Sequence, residues 1–215
     1  GVFDAESGRY HLYVSYACPW AHRTLITRTL LGLEDHISVD VVDWRMNRNG
    51  SWSFNAEEEG ATADTVNGES NLEGIYNRAF SGWKENSRIG TVPVLWDRHH
   101  STIVNNESRE IVRMFDEFSK AGLGNGTSLS PPELREEVDT MIDANYESVN
   151  NGVYKSGFAR TQSAYDEAVT ALFTRLDELE HHLNGRDWLV GEGTGQLTEA
   201  DICLFATLVR FDLVY

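Results

Sequence analysis

Residues 122–132 include Gly122, Gly124, Asn125, Gly126, Ser128, Ser130, Pro131 and Pro132, and this breaker-rich stretch separates two different sequence patterns. Gly and Pro interrupt both helical and strand periodicity, so the stretch predicts a domain boundary. Before it, β-branched and aromatic runs alternate with helical ones. After it the patterns are all helical. The expected domains are residues 1–121 and 131–215. A chain of 215 residues is long enough for one large domain or two small ones.

In the first half, residues 10–15 read as a strand. Pro19 then occupies a first-turn helix position, which Pro favours. Residues 20–31 follow a helical pattern with Ala21, Leu25, Ile26 and Leu30 near one face, and Gly32 ends it. Residues 37–42 form a second expected strand. Residues 47–71 are polar and acidic, a long loop or insertion of the kind that is functional or disordered. A short helix is predicted over 72–80, a third strand over 91–97 and a fourth over 102–104, the last two paired as a hairpin. Asn105, Asn106, Glu107 and Ser108 cap a helix through Ile111, Val112, Met114 and Phe115. The order β-α-β-insertion-β-β-α is a thioredoxin-like α/β pattern, a mixed sheet with helices on both faces. In the second half, helices are expected over 131–149, 163–183 and 202–209, the last behind the cap-type run Thr198-Glu199-Ala200-Asp201.

Eighteen basic residues against 34 acidic ones leave a formal charge of −16, which excludes a basic nucleic-acid face. Lysine occurs only at Lys84, Lys120 and Lys155, the other basic residues being Arg. Such a surface suits a high-salt cytoplasm, where screening weakens self-repulsion, and equally an Arg-favouring codon usage. No apolar run approaches a membrane span, and the polar start Gly1-Val2-Phe3-Asp4 is unlike a signal peptide. The missing initiator Met, and an end at Tyr215 just after an apolar helical stretch, suggest two cuts in a longer protein. Cys18 and Cys203 do not make a disulfide framework, so free thiols in a reducing cytosol are expected. The pairs His99-His100 and His181-His182 lack metal-ligand spacing, and no metal site is expected.

Cys18 carries the chemistry. It stands between a strand and a helix, in Ala17-Cys18-Pro19-Trp20. Unpaired amides and the dipole of a helix N-terminus favour a thiolate over a thiol. No second cysteine follows at Cys-x-x-Cys spacing, so Cys18 is expected to form a mixed disulfide with a small thiol and to be released by a second one. The competing reading, an inert buried cysteine, fits Cys203 in its apolar helix. The Val92-Pro93 bond is cis or trans with equal expectation; if cis, it turns the Val92 backbone toward a peptide-like ligand. Glu107 and Ser108, at a helix start, suit the head of an α-amino acid, or are a plain cap.

Three segments in order, residues 13–23, 91–97 and 102–108, resemble the glutathionyl-hydroquinone reductases, the Xi class of the glutathione transferases. Residues 150–159, 197–201, 210–212 and 214–215 extend the resemblance over nearly the whole chain. It implies the glutathione transferase fold, a thioredoxin-like N-terminal domain followed by an all-α domain. It also implies an enzyme that removes the thiol from S-glutathionyl-hydroquinones, with glutathione as co-substrate and no bound cofactor. In that scheme Cys18 is the nucleophile, and Trp52 lies over the glutathione. Ile89, Gly90, Thr91 and Val92 bind its backbone, and Glu107 and Ser108 its γ-glutamyl head. Tyr154 donates a proton to the leaving quinol carbon, and Tyr215 matches a tyrosine near the cysteine sulfur. The partners implied are a small thiol and an aromatic quinol conjugate, in a homodimer in the cytoplasm. Members carry an Arg directly before Val-Thr-Val-Pro or Ala-Thr-Val-Pro; here Arg88-Ile89-Gly90-Thr91 displaces it by one residue. A halophilic source would make γ-glutamylcysteine an alternative thiol. The other readings are a general thiol transferase or dehydroascorbate-type reductase, and a non-catalytic transferase-like binding domain.

Overall fold

The computed structural model describes residues 3–47, 50–83 and 90–215. The chain divides into two compact units between Thr127 and Ser128, inside the breaker-rich stretch.

The first unit is built on a four-stranded sheet in the order β2-β1-β3-β4: β1 (Tyr10–Val14), β2 (Ile37–Val41), β3 (Val94–Asp97) and β4 (Thr102–Asn105). β1 runs parallel to β2, with Leu12 opposite Val39, and antiparallel to β3, with Leu12 opposite Leu95. β3 and β4 form the expected antiparallel hairpin. Every residue of β1 and β3 is buried, as in a sheet covered on both faces. Helices α1 (Pro19–Leu30) and α3 (Ser108–Lys120) pack together, and α2 (Leu72–Ala79) packs near β4.

Two sequence expectations change here. The buried residues of α1 are Pro19, Ala21, Arg23, Thr24 and Thr27, whereas Leu25 and Ile26 are half-buried and Leu30 is exposed. Burial of the threonines is possible because their hydroxyls bond back to Ala21 O (2.7 Å) and Arg23 O (2.9 Å), which satisfies them inside the helix. α1 stops as expected at Gly32, whose φ of +68° suits glycine. The third strand starts at Val94 rather than residue 91, since Pro93 has no N–H to give the ladder. The Val92-Pro93 bond is cis.

The acidic insertion is irregular but anchored. Asp64, almost fully buried, accepts from Tyr13 Oη (2.9 Å) and from the amides of Val66, Asn67 and Glu69. Asp40 accepts from the Thr65 amide (2.6 Å) and hydroxyl, and His11 Nε2 lies 3.1 Å from it. Burial alone would raise the Asp40 carboxyl; hydrogen bonds from His11 and Thr65 outweigh this and hold it below its ordinary value.

The second unit is helical: a 3-10 turn (Pro132–Leu134), α4 (Arg135–Asn145), a π-helical turn (Tyr146–Asn150), α5 (Gly152–Gly157), α6 (Gln162–His182), α7 (Glu199–Leu208) and α8 (Phe211–Val214). The single helix expected over 131–149 is therefore three pieces. The π turn brings the buried Asn150 amide to Cys203 O (3.0 Å) and Thr207 Oγ1 (2.8 Å) on α7. Thr198 and Asp201 form the expected capping box. Val138, Ile142, Val149, Val153, Leu172, Leu179, Leu189, Val190, Ala200 and Leu204 make the core, with Cys203 packed among them at 2% exposure.

Candidate active site

The loop between β1 and α1 sets Cys18. Buried Ser15 shapes it: its hydroxyl accepts from Ala17 N (3.3 Å) and its carbonyl from Cys18 N (3.1 Å). Sequence reading passed over Ser15, although a serine three residues before a Cys-Pro helix start is a turn signal. Cys18 is the N-cap of α1 with extended backbone, and Pro19 is at the first helical position. Its carbonyl takes the His22 amide at 3.0 Å. The thiol is half-buried and is not disulfide-bonded. Its sulfur lies 3.6 Å from the Val92 carbonyl oxygen, which accepts from it. The thiol form is satisfied there, while the helix N-terminus behind favours the thiolate once that proton leaves.

That contact joins Cys18 to residues 90–93. Gly90 is buried because a side chain has no room: an added Cβ would stand 2.8 Å from the Tyr76 ring. Tyr76 is itself clamped, stacked on Trp83 at 4.4 Å, with its hydroxyl donating to Thr91 O at 2.9 Å. Burial raises its phenol above the ordinary value, so it stays a donor. Trp52 joins the same end of the unit through α2: its carbonyl accepts from Leu72 N (2.8 Å), and the Leu72 side chain borders Gly90. Ile89 and Arg88 lie outside the described residues.

Glu107 is the N-cap of α3 and is exposed, whereas Ser108 is buried. The Glu107 carboxylate accepts from Arg109 N and Ser108 Oγ, each at 3.3 Å. Asn106 links this helix head to Thr91 and Pro93, so the Val92 and Glu107-Ser108 segments are neighbours.

In the second unit Tyr154, on α5, and Tyr215 meet edge to face, ring centroids 5.9 Å apart. Phe158 stacks beyond Tyr154 at 6.3 Å. Tyr215 also borders a cavity of about 210 Å³ lined by Tyr165, Phe173 and Phe211. Among the described residues no group of three or more His, Cys, Asp or Glu is placed to hold a metal ion. Among them, too, no helix is long and apolar enough to cross a membrane.

The model of the glutathione S-transferase N-terminal domain matches residues 17–117, and that of the C-terminal domain matches residues 162–215. The glutathione-bound structure of YqjG from Escherichia coli K-12 is 51% identical over the whole chain, with a TM-score of 0.93, and the chain covers 68% of it. The chain belongs to the glutathione transferases. A Xi-class structure from Natrialba magadii is likewise 51% identical over the whole chain, at a TM-score of 0.90, with 65% of that protein covered. The glutathionyl-hydroquinone reductase PcpF of Sphingobium chlorophenolicum is 49% identical over 99% of the chain. The chain spans 66% of PcpF, just under two thirds of that relative's length. Xi-class relatives share this fold, and the thioredoxin-like first unit and all-helical second unit are as the sequence resemblance implied.

Proposed function

We propose that this chain is of the Xi class and is part of a glutathione-dependent reductase that removes the thiol from S-glutathionyl-hydroquinones. The observation that carries the reading is Cys18, a half-buried thiol at the head of α1 with its sulfur against the Val92 carbonyl. The relative PcpF, named a glutathionyl-hydroquinone reductase, and the glutathione-bound YqjG support the substrate and the co-substrate.

In the proposed reaction the Cys18 thiolate attacks the glutathionyl sulfur. A Cys18–glutathione disulfide forms, the bond from sulfur to the aromatic carbon breaks, and that carbon takes the electron pair. In the scheme that the family resemblance implies, Tyr154, with Tyr215 as its aromatic neighbour, supplies that proton; a phenol is a competent general acid. A second glutathione attacks the mixed disulfide and leaves glutathione disulfide and the Cys18 thiol. The only other cysteine, Cys203, is packed in the second unit's core, which favours a small thiol over an internal disulfide as the resolving step. Gly90, Thr91 and Val92 with Ile89 bind the peptide part of the thiol, Trp52 covers it, and Glu107 and Ser108 take the γ-glutamyl head. The two thiols in the chain agree with a cytoplasmic site of action and the family with a homodimer, which light scattering at column exit would measure.

Mass spectrometry after incubation with a glutathionyl-hydroquinone tests the scheme. Wild type is expected to carry one glutathione adduct on Cys18, and Cys18→Ser to lose both adduct and turnover. Turnover preserved in Cys18→Ser rejects the mechanism. Acidic composition with few lysines favours γ-glutamylcysteine as a second thiol to compare; a clear preference for glutathione rejects that alternative.

A further inference from the structure

Asn106 lies directly before Glu107 and Ser108 and reaches across to the chain ahead of β3. Its Nδ2 donates to Pro93 O at 2.7 Å and to Thr91 O at 3.1 Å. Its Oδ1 accepts from Thr91 Oγ1 at 3.1 Å. Tyr76 Oη donates to the same Thr91 carbonyl at 2.9 Å. Of the three successive carbonyls, those of Thr91 and Pro93 are therefore held by side-chain donors from α2 and the α3 head. The middle one, of Val92, faces the Cys18 sulfur at 3.6 Å. One side chain thus sets the spacing between the Val92 backbone and the N-terminus of α3. Only a short amide offers two donors and an acceptor at that length. A carboxylate there would face two carbonyl oxygens, and glutamine is longer by a methylene.

We propose that Asn106 is a positioning residue for the thiol co-substrate, holding the Val92 backbone in register with both Cys18 and the Glu107-Ser108 head of α3. The proposal rests on the reading of residues 91, 92, 107 and 108 as the thiol site. Asn106 itself touches no reacting atom in that scheme.

Calorimetric titration with S-methylglutathione, which has no free thiol to exchange, tests it on wild type, Asn106→Asp and Asn106→Ala. Loss of the amide donors is expected to weaken binding about tenfold or more in both Asn106 variants, because Pro93 O loses its amide donor while Thr91 O is left to Tyr76 Oη. Turnover should show the same loss, with KM for glutathione rising more than kcat falls. The pH profile of Cys18 alkylation by iodoacetamide should move in Asn106→Asp, since Val92 O is no longer held at the sulfur. A role in stability alone would lower the melting temperature and leave both affinity and profile in place. Asn106→Ser, which keeps one donor, replaces any variant that does not fold and should fall between wild type and Asn106→Ala. Binding within twofold of wild type in the folded Asn106 variants overturns the proposal. Failure of wild type to bind S-methylglutathione overturns the reading of the site beneath it.

Discussion

Asp97 has no solvent exposure, and its carboxylate takes Arg9 Nη2 at 2.6 Å, Arg9 Nε at 3.1 Å, His100 Nδ1 at 2.7 Å and the His99 amide at 2.8 Å. Burial pulls its pKa up, but Arg9, His100 and the amide pull it further down, well below the usual carboxylate range. In the unfolded chain it titrates near ~3.9. The folded state therefore holds on to the charged form longer, and the stabilisation is complete above that value and is lost as pH falls toward the folded pKa. Asp97→Asn should take from the buried Arg9 its short-range carboxylate partner, leaving half-exposed Glu6 at 3.7 Å, and cost about 3–5 kcal/mol, measured by urea denaturation at neutral pH. The acid slope of stability should flatten in the same variant. Gly90 is a second residue where a small change reaches the site. Gly90→Ala drives a methyl group toward a Tyr76 ring that Trp83 prevents from moving aside. A loss of about 1–3 kcal/mol in stability is expected, together with weaker S-methylglutathione binding as Tyr76 leaves Thr91 O.

Elements show how polar groups decide what hydrophobic periodicity leaves open. α1 was legible as a helix from Pro19 to Gly32, but its buried face was not, because two threonines could be buried once bonded to their own helix. Nothing in an apolar pattern announces that. The insertion reads as polar loop because its anchors are aspartates, residues that a composition argument assigns to solvent. Asp64→Ala should loosen residues 50–71, leaving Asn67 and Phe54 on Tyr13, and raise cleavage after Glu57, Glu58 or Glu59 by a glutamyl endopeptidase; wild-type resistance in the variant would sink the anchoring role. The capping box, by contrast, stands in the sequence itself, and the structure adds that Asp201 Oδ1 also accepts from Leu189 N at 2.9 Å. Asp201→Ala is expected to cost about 1–2 kcal/mol and to speed amide exchange at Leu189 and Thr198, with β1 unaffected.

At the scale of the whole molecule, a charge of −16 on 215 residues opposes compaction unless salt screens it. The melting temperature is expected to rise between dilute buffer and molar salt; full stability in dilute buffer would remove the halophilic interpretation. The division into a sheet-bearing unit and a helical one was readable from the breaker stretch and from the change in periodicity across it, since backbone preferences act locally. Cys18 was readable for the same reason: strand, proline and helix start are neighbours along the chain. What the sequence could not decide was which carbonyl meets the thiol, that Asn106 bridges residues 91, 93 and 107, or that Asp40 and Asp64 are interior. Those depend on groups between 13 and 74 residues apart in the chain, brought within hydrogen-bond distance only when the sheet and helices pack. Local rules set the elements and the place of Cys18 at a helix head; the long-range satisfaction of buried polar groups settled the geometry around it.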